Sequence, residues 1–199
     1  IGPNGAGKTT LINLLSGDLA PTAGQIHFRG SDLTRLAPEQ RSRLGIGRSY
    51  QKTNIFPEIT VGTQLAVAAR KAEIGNVDEV VADLGLAHLL ERRAADISYG
   101  DQRRLDLALS LIGRPKVLLL DEPAAGLSMS ESRALVVLLR DLARRWQVTV
   151  LLVEHDMDLV FSICDRITVL NLGRPLAEGT PDEIRRNPEV VTAYLGSSA

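Results

Sequence analysis

Residues Gly2 to Thr9 read GPNGAGKT, a G-x-x-x-x-G-K-[ST] spacing with every fixed position filled. Glycines at such spacing let backbone N–H groups wrap an anion, and a helix opening at the lysine turns its positive end toward it. In this reading Gly2, Pro3, Asn4, Gly5, Ala6 and Gly7 form a phosphate cradle. Lys8 adds a point charge for the β- and γ-phosphates. Thr9 offers a hydroxyl to Mg²⁺, and Thr10 follows it at the helix start.

A second group of polar residues follows apolar runs. KVLLLDE (116–122) ends in Asp121, a candidate Mg²⁺ carboxylate, and Glu122, a candidate base for an attacking water. Alone, the two acids also read as an ordinary strand end before Pro123. Beside a phosphate cradle they gain meaning, because α/β folds gather such groups at the ends of their strands. Gln51 follows another short run and can reach a metal or a water; as local sequence it is equally a surface glutamine. His155 directly follows VTVLLVE and can donate to a γ-phosphate, although a structural strand-end histidine reads the same. His27 and His88 have no such context. ISYGDQ (97–102) has two readings. Ser98 and Asp101 make an S-x-x-D helix start, and a helix N-terminus also offers unpaired N–H groups to an anion.

The elements that must position these residues are legible from periodicity. KTTLINLLS (8–16) predicts a helix ending at Gly17, and GQIHFRG (24–30) a short alternating strand. Pro38 opens a short helix, and IGRSY predicts a strand ending near Gln51. Residues 60–113 are mainly helical in pattern, with breaks at Gly75-Asn76, Gly85 and near Asp96. After Ser98, Leu105, Ala108, Leu109 and Ile112 share one helix face. KVLLLDE has the continuous apolar character of a strand covered on both sides. A helix with Leu135, Leu138, Leu139, Leu142 and Trp146 on one stripe follows. Then come a strand at VTVLLVE, a helix near 156–163, a strand at RITVLN, a turn at Gly173-Arg174, and PLAEG. Short helices open at Pro181 and Pro188. The alternation predicts an α/β fold with a largely parallel sheet, and 60–113 as an inserted helical subdomain.

Composition narrows the function class. The 199 residues are 44% hydrophobic and 24% charged, with net charge −1, which argues against a dedicated nucleic-acid binder. The arginine pairs 92–93, 103–104, 144–145 and 185–186 are scattered and read as solvated faces. The single cysteine, Cys164, excludes an internal disulfide and fits a reducing compartment. No apolar run approaches the length of a membrane span, so no direct membrane insertion is expected. The chain opens without Met and with only Ile1 before the cradle. Either it is a fragment of a longer protein or the loop lacks its strand anchor.

Taken together, GPNGAGKT, Gln51, ISYGDQ, VLLLDE, AGLS (125–128) and EHD (154–156) resemble, in order, the Walker A, Q-loop, signature, Walker B, D-loop and switch motifs of the ATPase subunit of ABC transporters. Tyr99, QRRLDLA, DEPAAGL, EHDMDLV and NPEVVTAYLG resemble the branch that imports branched-chain amino acids; urea or amide importers of the same branch stay open. The resemblance implies a P-loop NTPase fold: one ATPase domain over 1–199, lacking its N-terminal strands, with the helical subdomain at 60–113. It implies ATP and Mg²⁺ as cofactors, with Thr9, Gln51 and Asp121 at the metal and Glu122, His155 and Lys8 in catalysis. It also implies a second ABC ATPase, identical or different, packed head to tail, so that Ser98, Gly100 and Gln102 close over the partner's nucleotide. Transmembrane permease subunits are the further partners, and the place is peripheral, on the cytoplasmic face of the inner membrane. Ile97 and Tyr99 replace the common Leu and first Gly of the signature, and Ser128 stands where the D-loop often has Asp or Asn. Long coiled-coil insertions or a basic surface would mark a soluble DNA-repair or ribosomal ABC ATPase, and neither is visible. A small-molecule P-loop kinase would have no use for ISYGDQ.

Overall fold

The structure is a computed structural model that describes residues 1–51, 53–72 and 76–195. Gly75 of the expected Gly75-Asn76 break lies outside the described residues. Helix α1 (Lys8–Ser16) has its expected limits: Gly7 (φ 96°) precedes it, and Gly17 (φ 91°) ends it by donating its N–H to Asn13 O at 3.1 Å. Left-handed glycine is the favoured way to stop a helix because no Cβ resists the turn.

The segment expected as one strand at 24–30 is half of a small antiparallel ribbon, β1 (His27–Phe28) with β2 (Ser31–Asp32). Arg29 and Gly30 both have positive φ (50° and 84°), the geometry of a tight hairpin turn. The ladder stays short because Thr34 Oγ1 accepts the Ile26 N–H at 2.9 Å, taking the donor a longer ribbon would use.

α2 (Pro38–Arg43) and β3 (Ile46–Ser49) follow as expected. The helical stretch comprises α3 (Val61–Ala72), α4 (Val77–Asp83), two 3₁₀ turns (Ala87–Leu89, Ala94–Asp96) and α5 (Tyr99–Leu111). Next come β4 (Val117–Asp121), α6 (Met129–Trp146), β5 (Thr149–Val153) and α7 (Met157–Ile163). β6 (Ile167–Asn171), β7 (Arg174–Gly179), α8 (Pro181–Arg186) and α9 (Pro188–Leu195) complete the order. The β6–β7 turn falls one residue earlier than expected. Leu172 (φ 48°) and Gly173 (φ 76°) take the left-handed positions, and Arg174 already belongs to β7.

β3, β4 and β5 form one parallel sheet with β4 central. Side chains alternate along β4. Leu118 and Leu120 enter a core shared with α3, α4, α5 and α6, whereas Leu119 faces Ile12 of α1, Leu33 and Val153. Both faces of the central strand are therefore covered, which is why it carries three leucines in succession. The helices of 61–111 pack into the same core as β4 and α6. Asp83 at the end of α4 accepts hydrogen bonds from Arg145 and Trp146 of α6, both at 2.6 Å.

β6 and β7 form a separate antiparallel ribbon. Ile1 joins it: its N–H₃⁺ donates to Thr168 O at 2.9 Å and its carbonyl accepts from Leu170 N at 2.8 Å. That is the bonding of a parallel neighbour to β6. Ile1 is also buried with Val160, Ile167, Val169 and Ile184.

One arginine departs from the expected solvated faces. Arg103 is only 5% exposed, because α5 turns it toward the loops after β3 and β4.

Candidate phosphate-binding and hydrolytic site

The loop before α1 is held by the β6–β7 ribbon at both ends. Gly173 N–H donates to Ala6 O at 3.0 Å, and Ile1 is bound as above. Within the loop, Lys8 Nζ donates to Gly2 O at 2.7 Å and Pro3 O at 3.0 Å. The lysine is 7% exposed. Burial lowers its pKa, while Glu122 and Asp121 nearby act to raise it. Asn4, Gly5, Thr9 and Thr10 face solvent. No side chain caps α1, so its positive end is presented to whatever occupies the loop.

Asp121 ends β4 and is 2% exposed. Burial raises its pKa, opposed by a hydrogen bond from Thr9 Oγ1 at 3.5 Å. Glu122 leaves the strand in the left-handed region (φ 51°), a strained conformation for a residue with a side chain. Its N–H is fixed to Val153 O of β5 at 2.8 Å. The turn delivers the carboxylate into a three-residue group. Oε2 accepts from Gln51 Nε2 at 2.8 Å, and Oε1 lies 2.6 Å from His155 Nε2, so an N–H at that nitrogen points to the carboxylate. The ends of β3, β4 and β5 thus bring Gln51, Glu122 and His155 together. Such a carboxylate can take a proton from water, and a histidine in contact with it can orient it.

Glu154 was not among the residues singled out from sequence. It is 5% exposed, and burial raises its pKa. Its carboxylate accepts from Ala124 N at 2.9 Å and from His155 N at 3.2 Å, so it ties the turn after Glu122 to the start of the switch. An acid inside a strand-end EHD was the available signal.

The signature residues stand apart from this group. Ser98 caps α5, accepting from Asp101 N at 3.1 Å and donating to Asp101 Oδ2 at 2.7 Å. Ser98 is exposed, and a Cβ on Gly100 would come within 2.9 Å of Glu131 Oε1. Gln102 turns inward, donating to Ala94 O at 2.9 Å and Ile97 O at 3.5 Å. Among the described residues no hydrogen bond joins Ser98, Gly100 or Gln102 to Lys8, Asp121, Glu122 or His155. Ser128, the D-loop departure, caps α6 in a reciprocal pair with Glu131. The cavity of about 730 Å³ lies elsewhere, between α2, β3, α3 and α5, with Arg48, Tyr50, Asn54, Lys71 and Asp106 on its walls.

A buried carboxylate at a strand end, facing a hydroxyl and a lysine-bearing glycine loop at the start of a helix, defines a nucleotide-binding ATPase of the P-loop class. Residues 1–125 match the family ABC transporter, and residues 174–199 match Branched-chain amino acid ATP-binding cassette transporter. The chain belongs to the ATP-binding cassette family of ABC transporters. It is 43% identical, over 219 residues, to the high-affinity branched-chain amino acid transport ATP-binding protein LivG of Escherichia coli (strain K12), covering 100% of this chain and 86% of that one. Identity to BraF of Pseudomonas aeruginosa, which bears the same description, is 41% with the same coverage. Among solved structures, an ATP-binding cassette of an ABC transporter in its ADP conformation superposes with a TM-score of 0.87 at 28% identity. That match covers 98% of this chain and 86% of the other.

Proposed function

We propose that this chain binds and hydrolyses ATP to power a membrane importer for branched-chain amino acids, a reading supported by its likeness to branched-chain amino acid transport ATP-binding proteins. The observation that carries the hydrolytic part is the Glu122 carboxylate, held between Gln51 and His155 beside the phosphate loop. Gly2 to Thr10 cradle the triphosphate. Lys8 exchanges its bonds to Gly2 O and Pro3 O for the phosphate oxygens. Glu122 takes the proton of the attacking water, and His155 and Lys8 stabilise charge on the transferred phosphoryl group.

Mg²⁺ fits the residues present. Thr9 and Asp121 offer a hydroxyl and a carboxylate in mutual contact, hard oxygens of the kind Mg²⁺ takes. Among the described residues no group of three His, Cys, Asp or Glu could hold a metal alone, so the ion would share ligands with the phosphates, with Gln51 a further oxygen. When bound it neutralises charge on the β- and γ-phosphates.

Ser98, Gly100 and Gln102 serve a second ABC ATPase subunit, identical or different. The exposed Ser98 at the start of α5 favours that reading, and Gln102 supports it indirectly by bracing the preceding loop. Permease subunits dock over the helices of 60–113 and the Gln51 loop, where the 730 Å³ groove is open. Among the described residues no helix is long and apolar enough to cross a membrane. The place proposed for the chain, beneath those permease subunits, is peripheral, on the cytoplasmic face of the inner membrane. Steady-state ATPase assays test the base. Glu122→Gln should lower turnover by about 10²- to 10⁴-fold while ATP binding persists. Near-normal turnover in that variant removes Glu122 from the role.

A further inference from the structure

Arg103 is a buried cation with no carboxylate at ion-pair distance among the described residues. Its guanidinium is spent on backbone carbonyls instead. Nη2 donates to Gln51 O at 2.7 Å and to Ala125 O at 3.3 Å, and Nη1 donates to Tyr50 O at 3.3 Å. Burying a charge for neutral partners is costly, and the planar fork of arginine is the side chain that can span three acceptors at once. Two neighbours on α5 complete the grip. The Tyr99 hydroxyl donates to the same Ala125 O at 3.1 Å, its ring lies 5.5 Å from the Arg103 guanidinium, and it packs against Gly126. Asp106, one turn on, accepts from Asn54 N at 2.9 Å and from the Ser49 hydroxyl.

We propose that Arg103 is a positioning residue that ties the signature helix to the hydrolytic site of its own chain, by fixing the backbone from which Gln51 reaches Glu122. The proposal rests on the reading of Glu122 as base. α5 carries Ser98 and Gly100 at its start and Arg103 about 7 Å further along its axis. A displacement of that helix end, such as closure over a partner's nucleotide, carries the backbone of Gln51 and Ala125 with it. The geometry of Gln51 against Glu122 Oε2 then depends on whether the signature is engaged.

Arg103→Met keeps the apolar stem and removes the fork; Arg103→Lys keeps the charge and reaches one carbonyl. With the full chain, three readouts apply: kcat for ATP, ATP affinity, and backbone hydrogen exchange of the 49–54 peptide against that of α1. In Arg103→Met, kcat should fall about 10- to 100-fold with ATP affinity nearly unchanged. Exchange should rise in 49–54 and stay constant in α1, and Arg103→Lys should lie between the two. The double variant Arg103→Met/Gln51→Ala should be no slower than Gln51→Ala alone, because the two residues act as one. Additive losses, unchanged exchange in 49–54, or unchanged kcat overturn the proposal. If Arg103→Met does not fold, Arg103→Lys paired with Gln51→Ala decides by the same criteria. Failure of the base is read separately, as normal turnover in Glu122→Gln, whereas the exchange readout reports the clamp whatever the base is.

Discussion

A Cβ on Gly2 would sit 2.2 Å from Leu170 O, closer than any real contact. The glycine is there because the phosphate loop must pass against the backbone of β6. Gly2→Ala should destabilise the protein by about 1–3 kcal/mol, the usual scale of overpacking, and weaken ATP binding by displacing the carbonyl that Lys8 holds. Thermal denaturation and nucleotide titration check it, and wild-type values in both would contradict the close approach. At this scale the candidate site residues were legible as candidates. Lys8, Thr9, Asp121, Glu122 and His155 follow glycine spacing or an apolar strand, and either pattern is visible in one dimension. Arg103 and Glu154 were not. Apart from the adjacent His155 N–H on Glu154, their partners are backbone groups 22 to 53 residues away, and nothing in an arginine pair or an EH dipeptide says which loop will pack over it. Gln102 likewise has a contact the sequence did not give: its amide donates to Ala94 O and Ile97 O within the chain.

Among elements, α5 has the widest reach, with the signature at its start, the Gln51 loop along its side and the core beneath. Asp106 on that helix is buried, and its pKa is raised chiefly by burial. The hydrogen bonds from Ser49 and Asn54, the charge of Arg103 and a bond from Tyr50 backbone oppose the shift. From the ordinary aspartate value of 3.8 up to the raised folded value, the folded state binds more protons than the unfolded state. Stability from this group is therefore full below that window and falls as pH rises through it. Asp106→Asn keeps an acceptor for Asn54 and does not titrate. Its melting temperature should decline less with pH than that of the wild type, starting from about pH 4, and parallel slopes would contradict the assignment. The same helix shows what periodicity conveys. Its start at Ser98 was readable, and Leu105 and Ala108 are buried on the expected face, but Ile112, expected on that face, is already extended beyond the end of the helix at Leu111. Two-residue β2 was not readable, since Ser31-Asp32 has no apolar pattern and forms only because the Arg29-Gly30 turn folds it back.

In the whole molecule Thr9, Gln51, Asp121, Glu122 and His155 come from distant parts of the chain and lie at one end of the parallel sheet, whereas Ser98, Gly100 and Gln102 stand apart. Alternation of strands and helices foretold the parallel sheet and its covered central strand. The neighbours of β4 in the sheet are set by pairing between segments that lie well apart in sequence, and the ribbon that holds the phosphate loop meets it from the far end of the chain; neither has a local signature. The assembled site is open: Asn4, Gly5, Thr9 and Thr10 face solvent, and the 730 Å³ cavity lies on other walls. A triphosphate bound here would be covered on one side only. In the proposed assembly a second ATPase supplies the other side through an exposed Ser98. The measurement that tests this most directly is the mass of the Glu122→Gln protein by light scattering, with and without ATP and Mg²⁺. A monomer that becomes a dimer only when ATP is bound and uncleaved is expected. A protein that binds ATP with wild-type affinity and keeps its monomer mass would contradict self-association through Ser98 and leave a different ATPase as the partner to add to the same measurement.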